Sequence, residues 1–197
     1  KQSALSKHLL SRIEVARILQ SGAVPTTDLR APMILGSGSA SFEILRYLVE
    51  RLPVMITPRW VQSPNQPIAI RNVIRYLIEC LVHEETIGQT YDIGGPDVLT
   101  YRELLDIYAQ EAGLRKRLIL PVPVLTPRIS SLWLGLVTPL FARVGKKLID
   151  SLRHPTVVKD SSAADWFDLR PKGVRAAIEE ALQEEEQEFR ATRWSDY

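Results

Sequence analysis

Two residues near the start of the chain have the types and spacing for proton chemistry. His8 and Arg12 stand four positions apart in Ser6–Gln20. In that stretch Leu9, Leu10, Ile13, Ala16 and Ile18–Leu19 recur at near-helical spacing, and Gly22 closes the run. Residues four apart share a helix face. A neutral imidazole can shuttle a proton, and a neighbouring guanidinium favours that neutral form while being unable to release a proton itself. The plainer reading is two polar residues on a solvent-facing stripe.

A second candidate is Val24–Phe42, VPTTDLRAPMILGSGSASF. Val24–Arg30 approaches a strand, Pro32 interrupts it, Met33–Leu35 is apolar again, and GSGSAS breaks regular structure before a helix. Small residues between strand and helix let backbone come close to a ligand. A serine among Ser39–Ser41 can cap that helix by accepting its orphan N–H groups. A tight strand-to-helix connection explains the same pattern without a ligand. Two further groups weigh less. Cys80, with apolar neighbours, reads as a buried thiol, and only His83 one turn on would make it reactive. The acidic run Glu184–Glu188 reads as a solvated face and fraying helix end rather than a metal site.

The elements that must position these residues follow from periodicity and breakers. Phe42–Arg51 reads as a helix with Phe42, Leu45 and Leu48–Val49 on one side, and Pro53–Pro58 as a short strand. Arg59–Pro67 reads as loop. Asn72 is expected to cap a helix to about Val82, with Val73, Leu77, Ile78 and Leu81 inward. Gln89–Ile93 reads as a strand ending in Gly94-Gly95-Pro96. Thr100 and Glu103 form a capping box for a helix that Gly113 terminates. Pro171 suits a first helical turn, and Val174, Ala177, Ile178, Ala181 and Leu182 keep helical spacing.

Between them lies LILPVPVLTPRISSLWLGLVTPLFARV, cut by four prolines, so no stretch reaches the ~20 residues of a spanning helix. Two readings stay open. One is a helical lid over a cleft, Pro127–Leu136 and Pro139–Leu152. The other is a peripheral membrane contact through 128–153, with Trp133, Leu134, Leu136 and Phe141 inserted and Arg143, Lys146, Lys147 and Arg153 at headgroups.

Size and composition set the bounds. A chain of 197 residues suits one domain with an appendage, and 45% hydrophobic and 24% charged residues are ordinary for a globular protein. A formal charge of +2 gives no electrostatic case for nucleic acid. One cysteine fits a reducing, cytoplasmic setting, with a membrane-peripheral location as the alternative.

Taken in order, several blocks resemble the extended and atypical short-chain dehydrogenase/reductases, above all their nucleotide-sugar-epimerase-like members. LRAPMILGSGSASF is similar to the family's L-R-P-x-x-x-x-G segment, with Ala31 at the proline position and Pro32 one residue late. HLLSR stands where the family carries YxxSK. QPIAIRNVIRYL resembles x-I-H-V-x-D-V-A, and YDIGGPDVLTYRELLDIYAQEAG resembles Y-N-I-G-G-x-x-x-L-T-x-x-E-L.

The resemblance implies an α/β fold: the C-terminal part of a Rossmann-like parallel sheet with a helical substrate-side subdomain. Residues 1–114 would be the partial core, and 115–197 the lid or substrate-side part and C-terminal helix. It implies NAD or NADP, with Arg30, Ala31, Pro32, Met33 and Ile34 as the loop beside the nicotinamide. His8, with Ser11 and Arg12, would stand in the proton-transfer positions of the family's tyrosine, serine and lysine. The whole protein would carry out redox or epimerisation chemistry on a small molecule. The glycine-rich pyrophosphate turn is absent from this sequence, so the chain is expected to begin after the first four or five strands. Asn65-Gln66-Pro67 stands where the family places an arginine for a substrate diphosphate, Ala69 replaces the histidine and Asn72 the aspartate. These departures argue against a nucleotide-diphosphate sugar. Two other classes stay open: a non-catalytic NAD(P)-binding protein that senses redox state or aids assembly, and a membrane-peripheral module. If a missing half once covered this part, an apolar patch is expected around Leu9, Leu10, Ile13 and Val24–Leu29.

Overall fold

Pro32 has no N–H to give a ladder and holds φ fixed, and it splits the Val24–Leu35 stretch into two short strands. These are β1 (Asp28–Arg30) and β2 (Ile34–Leu35). The computed structural model describes residues 6–122 and 154–194. The remaining strands are β3 (Val54–Pro58), β4 (Pro64–Asn65), β5 (Ile68–Ala69), β6 (Thr90–Asp92), β7 (Leu99–Thr100) and β8 (Leu118–Val122). The helices are α1 (Lys7–Gln20), α2 (Ala40–Arg51), α3 (Ile70–Val82), α4 (Tyr101–Glu111), α5 (Ser162–Trp166) and α6 (Val174–Trp194).

Three strand pairs are parallel: β1 with β6, β2 with β5, and β3 with β8. The β4–β7 pair is antiparallel. The first two parallel pairs are stitched together where the chain enters β5 and leaves β6, because Gly95 N–H donates to Pro67 O at 2.9 Å. Parallel pairs need crossovers, and α3 makes the one from β5 toward β6.

Local sequence explains several helix ends. Ser39 accepts from Phe42 N at 3.2 Å and so caps α2 as expected. Thr100 and Glu103 make both bonds of the capping box on α4, which ends just before Gly113. Asn72 does not cap α3. The strand hands over directly at Ala69, and the Asn72 side chain, buried in the first turn, accepts from Lys172 N at 3.1 Å. Pro171 also lies outside its expected turn. α6 opens three residues later, at Val174, whose N–H donates to the Asp97 carboxylate at 2.7 Å.

One core joins α2, α4 and α6 over β2, β3 and β8, with Phe42, Val49, Met55, Leu104, Tyr108 and Ile178 at its centre. A second lies under α3 and α5, where Phe167 meets Tyr76 and Tyr91 edge-on at centroid distances of 5.2 and 5.4 Å. α3 turns a different face inward from the one its sequence suggests. Asn72 and Tyr76 are buried, whereas Leu77, Ile78 and Leu81 are exposed, Leu81 at 84%. The helix is apolar on most sides, so periodicity does not choose between its two stripes; the Tyr76–Phe167 contact does. The acidic run also departs from a plain solvated face. Glu184 pairs with Arg71 at 2.7 Å and Glu185 with Arg46 at 3.2 Å, and the helix continues to Trp194.

The Gly95–Pro67 contact leaves no room for a side chain, since a Cβ at position 95 would lie 2.2 Å from Pro67 O. Gly95→Ala should therefore cost about 1–3 kcal/mol, as overpacking does. Urea denaturation of the two proteins measures this, and an unchanged midpoint would show that the stitch yields without cost.

Candidate functional site

Parallel strands present their carboxyl ends on one side, where α/β proteins bind ligands. Here the Ala31–Met33 connection lies at the carboxyl ends of β1 and β6. Its backbone is fixed at both sides: Ile93 N–H donates to Arg30 O and Ile68 N–H to Met33 O, each at 2.9 Å. Arg30 is exposed and its Nε donates to Asp28 at 2.9 Å. Ala31, Pro32, Met33 and Ile34 are half-buried, and Ile34 pairs with Ile68 as the first residue of β2.

The first small residue after β2, Gly36, serves packing. A Cβ on Gly36 would come within 2.4 Å of Ile70 Cγ2, so this glycine admits α3 rather than leaving space for a ligand.

Behind the loop is a neutral polar network that sequence reasoning did not find. Asn65 is 1% exposed. Its Nδ2 donates to Met33 Sδ at 3.4 Å and its Oδ1 accepts from Thr156 Oγ1 at 2.9 Å. Next to it Gln66 donates through Nε2 to Gly95 O at 2.7 Å and accepts Val158 N–H through Oε1 at 3.0 Å. Thr156 N–H and C=O bond Pro64 O and Gln66 N–H, completing a short bridge to β4. Burial pushes the nearby Tyr101 phenol up to about 12, with Thr156 pulling weakly the other way, so it stays protonated. The signal in the sequence was the polar pair Asn65-Gln66 between prolines. Its partners lie from about thirty to about ninety residues away, beyond the reach of local pattern.

The proton-transfer candidates lie on α1. His8 sits in its first turn, with its side chain outside the described residues; Ser11 and Arg12 are exposed. The helix is tied to the sheet at its far end, where Gln20 Nε2 donates to Thr90 Oγ1 at 2.8 Å. No hydrogen bond or ion pair among the described residues joins Ser11 or Arg12 to the Arg30–Ile34 segment. Cys80 is half-buried, and burial pushes its thiol up while a hydrogen bond to Thr86 works against that. His83 is turned toward Glu79 and Glu85 instead, which weakens the case for a reactive thiol. Among the described residues no group of three or more His, Cys, Asp or Glu could hold a metal, and no helix is long and apolar enough to cross a membrane. The two lid helices and the 128–153 membrane segment expected from sequence lie outside the described residues.

Removing the Asn65 amide strands its buried partners. Asn65→Ala is expected to lower stability by about 1–3 kcal/mol, and adding Thr156→Val should recover part of it by removing an orphaned hydroxyl. Thermal or urea unfolding of the single and double variants reads the coupling, and strict additivity would mean that the bond contributes nothing.

No family model and no curated protein matches this sequence. Solved structures do resemble it. An epimerase from the methanogen Methanothermobacter thermautotrophicus superposes with a TM-score of 0.63 at 12% identity, over 95% of this chain and 51% of that one. A nucleoside-diphosphate-sugar epimerase from Staphylococcus aureus gives 0.61 at 15% identity, over 84% and 56%. RMD from Pseudomonas aeruginosa, complexed with NADPH, gives 0.50 at 12% identity, over 77% and 44%. The chain thus spans about half the length of the structures it resembles, and its α/β fold, with parallel strand pairs flanked by helices, is the one found in these epimerase-type, Rossmann-like proteins.

Proposed function

We propose that this chain is the substrate-side part of an NAD(P)-dependent oxidoreductase or epimerase acting on a small molecule, with Arg30–Ile34 as the loop beside the nicotinamide. The observation that carries this reading is the position of the Ala31–Met33 connection, at the carboxyl ends of a parallel pair in an epimerase-like fold. One similar structure is complexed with NADPH, which supports a dinucleotide as the cofactor class. When bound, that cofactor supplies hydride transfer. The residues of this chain would do the rest: Pro32 and Met33 give an apolar wall that excludes water, and His8 moves the proton, aided by Ser11 and Arg12.

The apolar faces support a partner half. Val15, Ile18 and Leu19 on α1, Val24, and Leu77 and Leu81 on α3 are all exposed. Burying one Leu or Ile side chain stabilises by ~1.5–3 kcal/mol, so faces of this size favour a covering layer. The nucleotide-binding strands that the resembling enzymes carry upstream would supply it. The polar network supports one substrate class over another. Asn65 and Gln66 stand where the family places its diphosphate-binding arginine, and both side chains are engaged within the protein. A substrate without a diphosphate fits this arrangement. The second reading is an NAD(P)-binding protein without turnover, favoured by the exposure of Ser11 and Arg12 and their lack of bonds to the loop. The third, membrane contact through 128–153, rests on sequence alone.

Calorimetric titration tests where the dinucleotide's phosphates are held. The chain alone is expected to bind NAD and NADP only weakly, since the pyrophosphate would be held elsewhere. Micromolar binding by this chain would overturn the assignment of the phosphate site to an upstream half.

In the complete protein, His8→Ala should lower turnover by ~10²–10⁴-fold and remove an inflection from the pH–rate profile. Unchanged rates in that variant, with dinucleotide binding retained, would favour the non-catalytic reading.

A further inference from the structure

β3 and β8 form a parallel pair of their own, and strand alternation gives that pair two faces. Met55 and Ile119 are buried in the core that α2 and α4 share. The other face is apolar as well. Val54, Ile56, Leu118 and Leu120 are each between 45% and 54% exposed. The register sets them in two cross-strand pairs, Val54 beside Leu118 and Ile56 beside Leu120. A sheet face turned to water ordinarily carries polar side chains, and this one carries aliphatic ones.

The charges beside this face are of one sign. Parallel pairing brings the amino ends of the two strands together, where Leu118 N–H donates to Pro53 O at 3.0 Å. Arg115 and Lys116 precede that end of β8 and Arg51 that of β3, and all three are exposed. Among the described residues no hydrogen bond or ion pair holds Arg115 or Lys116. The nearest acids in sequence are engaged elsewhere, Glu50 with the Tyr108 hydroxyl at 2.8 Å and Glu111 with Arg175 at 2.6 Å. The asymmetry extends along the chain. Of its 25 Lys and Arg, residues 112–153 hold eight, and of its 23 Asp and Glu they hold only Asp150. The small net charge therefore hides a basic stretch within an otherwise acidic chain.

We propose that the outer face of β3–β8, with Arg115 and Lys116 at its rim, docks on an anionic lipid surface. The four aliphatic side chains enter the acyl boundary while the cations meet the headgroups, the two contributions by which a peripheral protein binds a membrane. Other occupants fit less well. Four half-exposed side chains fall short of the ~800 Å² per partner that a stable protein interface buries. A second copy seated on the same face would set its cations against these, and a cover drawn from the equally basic residues 123–153 would do the same. A nucleic acid would use the cations and leave the aliphatic face bare. The face is also separate from the α1 and α3 surfaces assigned above to a covering half, so the proposal does not depend on dinucleotide chemistry.

Co-sedimentation of the full chain with lipid vesicles decides the matter. Binding is expected with phosphatidylcholine vesicles containing about one third phosphatidylserine, at least about tenfold weaker with phosphatidylcholine alone, and largely lost at about 0.5 M salt. Two variants place the contact. Arg115→Glu with Lys116→Glu should weaken partition about tenfold or more while disturbing no packed side chain, and Leu118→Ser with Leu120→Ser should do likewise. Absence of binding, or equal binding to neutral vesicles, would overturn the proposal. Wild-type binding by the charge-reversed variant would overturn it too, by moving the contact to another part of the chain. Sedimentation velocity without lipid tests the remaining occupant: a dimer that the serine variant dissolves would assign the face to a second copy instead. Should the serine variant fail to fold, the charge-reversed one settles the outcome.

Discussion

One side-chain amide does much to hold the sheet region together. Gln66 reaches Gly95 O with its nitrogen and Val158 N–H with its oxygen, while the backbone beside it accepts Gly95 N–H at Pro67. The strands it serves are two or three residues long, too short to hold register through their own ladders. Side chains therefore supply the specificity that longer ladders would give. Asn65 ties β4 to the Met33 connection and to Thr156, and Asp97 ties the turn after β6 to the first N–H of α6. A buried amide with both ends satisfied is stabilising and directional, whereas one left half-bonded would cost as much as the bond is worth. The position of the Ala31–Met33 loop is thus inherited from side chains outside the loop.

Most of the fold was legible where local chemistry determines it. Ser39 and Thr100 cap their helices because a side-chain oxygen three residues from an orphan N–H is a local geometric fact. The buried stripe Val174, Ala177, Ile178, Ala181 was equally plain. The failures share a cause. Leu77, Ile78 and Leu81 are as apolar as Tyr76, and only an edge-on contact with Phe167, ninety-one positions away, decides which side turns inward. Asn72 has the composition of a cap, but the β5–α3 handover occurs at Ala69 and leaves its amide for Lys172 N–H. Glu185 reads as one more surface glutamate until Arg46 is placed against it. At the candidate site, the Arg30–Ile34 segment was recognisable by motif, and the Asn65–Thr156 bond behind it was not.

The exposed apolar faces and the tightly packed core belong to one pattern. Phe42, Val49, Met55, Tyr108 and Ile178 are enclosed among α2, α4, α6 and the strands they cover. On α1 only Ala16 is buried among the described side chains, while Val15, Ile18 and Leu19 stand in solvent. A helix that buries one alanine gains little beyond its own hydrogen bonds, and helices of this length are marginal alone in water. α1 is tied to β6 at its last residue, through Gln20 to Thr90. The residues proposed for proton transfer therefore sit on a helix that buries little against the other described residues. A second layer would fix it, and with it the distance from His8 to the loop.

That asymmetry bears on how chemistry could be retuned. The network behind the loop is buried and uncharged: replacing Asn65 with arginine would place a cation where Met33 Sδ and Thr156 Oγ1 now close around an uncharged amide. A buried cation without a carboxylate partner is far more costly than the amide it displaces. Accommodating a cation there would require the Asn65–Thr156 bridge, the Gln66 bonds and the path of residues 154–158 to change together. The α1 side is open: Ser11 and Arg12 are exposed, and substitution there disturbs no core contact. The polar network is accordingly the part of this region least free to change, and the exposed positions Ser11 and Arg12 are the most free.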